Sequence, residues 1–269
     1  MKNLLLLGCS FLLLTTQQAC AQRKTNASTQ DNRTTIEQNM TSPQWRKDNY
    51  IVNRDSAFAN PYFALQKLRG GNTRFQQSRS IHPRQDPALI KRLSEGQSPF
   101  ATIVGCSDSR VSSEILFDQG FGDLFVARTA GQVMAEASYG TIEYAYLMLG
   151  TKLVVVLGHT GCGAVAAAVK RPENPPGHIV TLINAIKPAA LEAKKKQGET
   201  IDNAVRQNVI NQVEELRQLE SVLSRAYAEG DILIVGAVYN LATGKVEFLD
   251  ETLTDLPKTS YSKRDITGL

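Results

Sequence analysis

Short apolar runs rich in β-branched residues recur through the middle of the chain, and each stops abruptly in small or polar residues. Those at 100–105, 124–127, 153–157 and 232–238 have strand length and little polar alternation, the pattern of strands buried on both faces. Stretches of helical period lie between them at 134–149 (stopped by Gly150), 162–170, 179–196 (with Pro188 as a kink) and 201–227. This alternation predicts an α/β fold, a central and mostly parallel sheet flanked by helices. A further run at 246–249, after the turn Ala242-Thr243-Gly244, reads as a final antiparallel edge strand paired by hairpin. Ahead of the sheet, Asn60-Pro61 has the cap-then-proline order of a helix start, and Tyr62, Leu65, Leu68 and Phe75 share one face. Gly70-Gly71 weakens that helix by about 1 kcal/mol per glycine relative to alanine. A second helix covers 87–93 and ends at Gly96. Together these form an amino-terminal helical arm placed to embrace a second copy of the chain.

The two ends read differently. Lys2, the apolar run from Leu4 to Leu14 and Ala19-Cys20-Ala21 are the charged, greasy and small-residue parts of a secretory signal, with cleavage before Gln22. The expected location is therefore exported and periplasmic. An alternative makes Cys20 a lipid anchor, but Gln17-Gln18 stand where such signals want apolar or small side chains. The apolar run is too short to span a bilayer, and no span follows it. Residues 22–56 are polar, without sustained period, and read as a flexible leader that includes Trp45. The folded domain is expected over 57–255, with a polar tail at 256–269.

Composition adds little to this. The 269 residues are 42% hydrophobic, enough for an ordinary core, and the net charge is +4. Lys194-Lys195-Lys196 reads as a solvated helix face, and no basic stripe calls for a nucleic-acid partner.

The candidate chemistry lies where the strands stop. Of the four cysteines, Cys9 and Cys20 fall in the signal, which leaves Cys106 after the first strand and Cys162 three residues past His159. In an oxidising compartment two such cysteines read first as a disulfide. That reading leaves His159 and the adjoining Asp108-x-Arg110 without a purpose, whereas a metal uses all of them. Two thiolates and an imidazole with one open position suit a catalytic zinc ion. Parallel sheets place ligands beyond the carboxyl ends of their strands, where Cys106 and His159 both fall. Alternation along Cys106-Ser107-Asp108-Ser109-Arg110 would let Asp108 face a metal-bound water while Arg110 clamps it. A freed Asp108 could instead take the fourth position on the metal. The plainer alternative is a surface ion pair of little consequence.

Cys106-Ser107-Asp108-Ser109-Arg110-Val111, taken with Gly158-His159-Thr160-Gly161-Cys162-Gly163-Ala164-Val165, resembles the β-class carbonic anhydrases. Gly122 to Gly131, Val235 to Asn240 and Thr243 to Val246 are similar to other parts of that family, and the resemblance spans 62–249. It implies a β-carbonic anhydrase-like fold and a zinc lyase that interconverts carbon dioxide and bicarbonate. One zinc per chain would sit on Cys106, His159 and Cys162, and zinc-bound hydroxide would be oriented by Asp108 and Arg110. Sites near the interface of a homodimer, which can pair into a homotetramer, are implied as well. Gln119 resembles a glutamine that hydrogen-bonds substrate, and Arg128 an arginine that in one branch helps bind regulatory bicarbonate. Ser112-Ser113 and Gln132 depart from the family pattern, and the tryptophan and tyrosine of the regulatory site have no counterpart. A sister activity on carbon disulfide or carbonyl sulfide would share every ligand.

Overall fold

The computed structural model describes residues 59–171, 173–254 and 256. The signal segment, the polar leader with Trp45 and the tail beyond Leu256 lie outside the described residues. Among the described residues, five strands make one sheet: β1 (Ala101–Cys106), β2 (Leu124–Thr129), β3 (Leu153–His159), β4 (Leu233–Tyr239) and β5 (Val246–Phe248), in the order β2-β1-β3-β4-β5. The first four are parallel, and β5 returns antiparallel to β4 with Ala237 opposite Phe248. β1 and β3 are buried at every position, which is why their sequences run apolar without alternation. β2, at the edge, is only partly covered.

Eight α-helices among the described residues surround the sheet: α1 (Pro61–Gln76), α2 (Pro87–Leu93), α3 (Ser113–Leu116), α4 (Glu136–Leu147), α5 (Gly163–Lys170), α6 (Ile179–Ala193), α7 (Thr200–Gln218) and α8 (Ser221–Ala228). Successive strand residues point to opposite faces. Ile103, Val155 and Val235 therefore pack with Tyr62, Leu65 and Leu68 of α1. Val104, Val156 and Ile234 pack on the other side with Ile142 of α4, Val209 and Val213 of α7 and Leu223 of α8. A third cluster joins Val165 of α5, Ile183 and Ile186 of α6 and Val205 of α7 to Cys106 and Cys162.

The elements depart from the predicted ones in a few places. The single helix expected over 201–227 is two, because Glu220 takes an extended backbone and its carboxylate accepts from the N–H groups of Val222 and Leu223, capping α8. The apolar period continues across the break and hides it. α6 runs through Pro188 but stops at Ala193, short of the predicted 196. The short helix α3 carries no periodicity to read. α1 passes through Gly70-Gly71 to Gln76, and the reason for Gly71 is close approach: a Cβ there would stand 1.7 Å from the Phe117 carbonyl oxygen. No helix among the described residues is long and apolar enough to cross a membrane.

Candidate metal centre

Because β1 and β3 are parallel neighbours, with Gly105 opposite Leu157, their carboxyl ends lie side by side. β1 delivers Cys106 and β3 delivers His159. The chain then turns through Thr160 and Gly161 to Cys162, which precedes the first residue of α5. The ligand atoms of Cys106, His159 and Cys162 lie within 4.8 Å of one another, and all three residues are buried. Both cysteines are free thiols, so the pairing considered from sequence does not form.

The tautomer of His159 follows from its neighbour. Its Nδ1 lies 3.0 Å from the Thr160 carbonyl, which can only accept, so Nδ1 carries the proton and Nε2 keeps its lone pair. That Nε2 is buried without a hydrogen-bond partner. A buried, unpartnered nitrogen grouped with two sulfurs is the signature of a ligand set, and this mixture of thiolate and imidazole donors suits zinc.

The two thiols are coupled. Cys106 is pulled well below the usual thiol range, first by the hydrogen bond from Cys162, against burial, and further by the N–H groups of Gly131 and Asp108. Gly131 N–H lies 3.3 Å from the Cys106 sulfur. Cys162 is pushed far above the usual thiol range because it is the donor to Cys106 and is buried; the N–H groups of Val165 and Ala164, in the first turn of α5, act in the opposite sense. A cation bound between the two sulfurs would favour the thiolate form of both.

Asp108 faces Arg110 rather than joining this set. The guanidinium donates through Nε to Oδ1 at 2.9 Å and through Nη2 to Oδ2 at 2.7 Å, and the Arg110 backbone N–H adds a third bond at 2.9 Å. This pairing holds the Asp108 carboxyl well below the usual carboxylate range, Arg110 being the main cause. Asp108 Oδ2 is still only 3.8 Å from His159 Nε2, so the carboxylate borders the ligands. The two residues meet through a turn closed by Val111 N–H on the Asp108 carbonyl, not through the strand alternation expected from sequence.

Arg128, on β2 beside Gly105, donates to the carbonyls of Cys106 at 2.8 Å and of Asp108 and Val111 at 2.7 Å each. Nothing local in the sequence signals this lacing. Gln119 makes its hydrogen bond elsewhere: Nε2 donates to the Phe117 carbonyl at 2.7 Å, in the layer beneath α1, and its Oε1 is buried without a partner.

Two cysteines and a histidine converging at the carboxyl edge of a parallel α/β sheet form a group that could hold a metal ion. The chain belongs to the β-carbonic anhydrase family: the family model described as carbonic anhydrase matches residues 101–246. A carbonic anhydrase of Mycolicibacterium smegmatis is 41% identical over 192 residues, covering 70% of this chain and 93% of that protein. Carbonic anhydrase 2 of Mycobacterium tuberculosis is 40% identical over 194 residues, covering 71% and 94%. The solved structure of the β-carbonic anhydrase CcaA is similar with a TM-score of 0.56 at 28% identity, covering 72% of this chain and 98% of that one.

Proposed function

We propose that this chain catalyses the reversible hydration of carbon dioxide to bicarbonate and a proton at one zinc ion held by Cys106, His159 and Cys162. The convergence of those three buried ligand atoms carries the reading. Zinc bound there supplies a polarised water whose pKa falls toward neutrality. The protein's residues do the rest. His159 presents Nε2 because Thr160 holds the proton on Nδ1. The N–H groups of Gly131, Ala164 and Val165 support negative charge on the two sulfurs. Asp108, kept ionised and acceptor-only by Arg110, takes a hydrogen bond from the attacking water and turns its lone pair toward the substrate carbon. The proton released passes to buffer.

The reading extends to location and assembly. The leading segment exports the chain to the periplasm, and the protein works as a homodimer or a larger assembly. What supports the pairing is the partly covered edge strand β2 and the α4 side beside it, where the tilted rings of Phe125 and Tyr144 pack with centroids 6.0 Å apart and Leu147 is 45% exposed. Stopped-flow hydration of carbon dioxide on the exported protein, with metal analysis before and after a chelator, tests the central claim. The expected result is about one zinc per chain and activity lost and regained with it. Metal-free protein joined by a Cys106–Cys162 disulfide, or a zinc protein that turns over carbon disulfide instead, would overturn it.

A further inference from the structure

α7 packs an apolar face on the sheet, yet two polar side chains sit within it: Asn208 is 2% exposed and Gln212 6%. A buried amide among Val205, Val209 and Val213 is unfavourable unless its hydrogen bonds are made. Asn208 makes one, donating from Nδ2 to the Gly131 carbonyl at 3.1 Å, across 77 residues of sequence. The N–H of that same Gly131 is the group that reaches the Cys106 sulfur.

Gly131 cannot be replaced by a stiffer residue. Its φ of +67° lies in the left-handed region, and a Cβ would stand 2.7 Å from Ile186 Cδ1 and 3.1 Å from the Ala164 Cβ. Glycine is also the residue with the most backbone freedom, so its orientation has to be imposed from outside. Thr129 closes the turn on one side, its hydroxyl donating to the Val133 carbonyl at 2.5 Å. Asn208 holds it on the other.

We infer that Asn208 is a positioning residue for the metal centre: its hydrogen bond to the Gly131 carbonyl pins the turn at Gly131, and with it the N–H on the adjoining peptide that meets the Cys106 sulfur, and so sets that ligand's place and donor strength. The inference rests on the zinc reading above and deepens it. Outer partners of metal ligands commonly change metal affinity by about 10–100-fold, and Asn208, one residue further removed, belongs at the lower end.

The test uses the full chain with Asn208→Leu, which fills the space without a donor, and Asn208→Ser, which is shorter and admits a water. Ile142→Val, in the apolar layer away from the ligands, serves as a control for general loss of stability. The expected result is about tenfold weaker zinc retention in chelator competition for both Asn208 variants, together with a shifted thiolate-to-metal absorption band in the cobalt-substituted protein. Ile142→Val should lose thermal stability but keep zinc affinity and cobalt spectrum. Should the leucine variant fail to fold, the serine variant decides. Wild-type affinity and an unchanged cobalt spectrum in whichever variant folds would overturn the inference. So would an equal loss of affinity in Ile142→Val. A wild-type chain that takes up neither zinc nor cobalt would refute the metal reading itself, a separate and visible outcome.

Discussion

The two halves of the metal centre are held by different means. His159 and Cys162 belong to the interior: β3 lies between β1 and β4, Thr160 N–H donates to the Tyr239 carbonyl at 2.9 Å, and the Thr160 hydroxyl accepts from Leu241 N–H at 3.1 Å. The segment that follows Cys106 is at the surface, with Ser107, Ser109 and Arg110 exposed, and it is laced by the side chains of Arg110 and Arg128. Backbone ladders in a buried sheet open only with the fold, whereas side-chain clamps at the surface can exchange with water. On the proposed zinc reading, the difference assigns metal retention to the three buried ligands and the geometry of the reaction to the exposed segment after Cys106.

The largest effect that would sharpen this contrast is removal of an interior ligand. His159→Ala and Cys162→Ser should each abolish both zinc content and hydration, measured by metal analysis and stopped flow; a variant that kept its zinc would break the assignment. Arg110→Ala should keep zinc and lose about 10²-fold in kcat. The pH dependence of that loss is informative. Arg110 depresses the Asp108 pKa below its ordinary value of 3.8, so the paired carboxylate adds stability that is present above about 3.8 and lost only as pH falls further, through the folded-state value. Without Arg110 the pKa returns toward 3.8, still far from neutrality. The deficit should therefore be equal at about pH 6.5 and about pH 9, both far above the carboxylate range, and a deficit growing toward acid would mean that charge rather than orientation is lost.

Arg128→Ala should reduce kcat by about tenfold while zinc stays bound, since it loosens three carbonyls of the ligand segment at once. Arg128→Lys should not restore the rate, because an ammonium cannot reproduce the planar fork. The smallest effect is expected at Thr160→Val: about 1 kcal/mol less stability in urea, with kcat/KM unchanged. A large loss of rate there would show that the interior half also takes part in the chemistry.

The strands and the grouping of Cys106, His159 and Cys162 were legible because each rests on local pattern: buried parallel strands are apolar throughout, and the three residues stand where those runs end; the spatial order of the strands was not legible. The approach of Asp108 to Arg110 was legible as a contact, though the turn that makes it was not. The break between α7 and α8 was hidden because hydrophobic period reports burial and not capping. The resemblance drew attention to Arg128 but not to its bonds with the carbonyls of Cys106, Asp108 and Val111, and the bond of Asn208 to Gly131 could not be read at all. Both act on backbone groups far along the chain, and backbone groups carry no sequence signal.

The ligand strands sit side by side at the centre of the sheet, and this ties assembly of the site to correct pairing of the polypeptide. Sliding β1 by one residue against β3 would turn every side chain to the opposite layer and carry the Cys106 sulfur away from the imidazole. A divalent ion can therefore be captured only by chains whose middle strands have come together in register. Loading would then favour that arrangement over its neighbours, making the ion a proofreader of the fold as well as its working part.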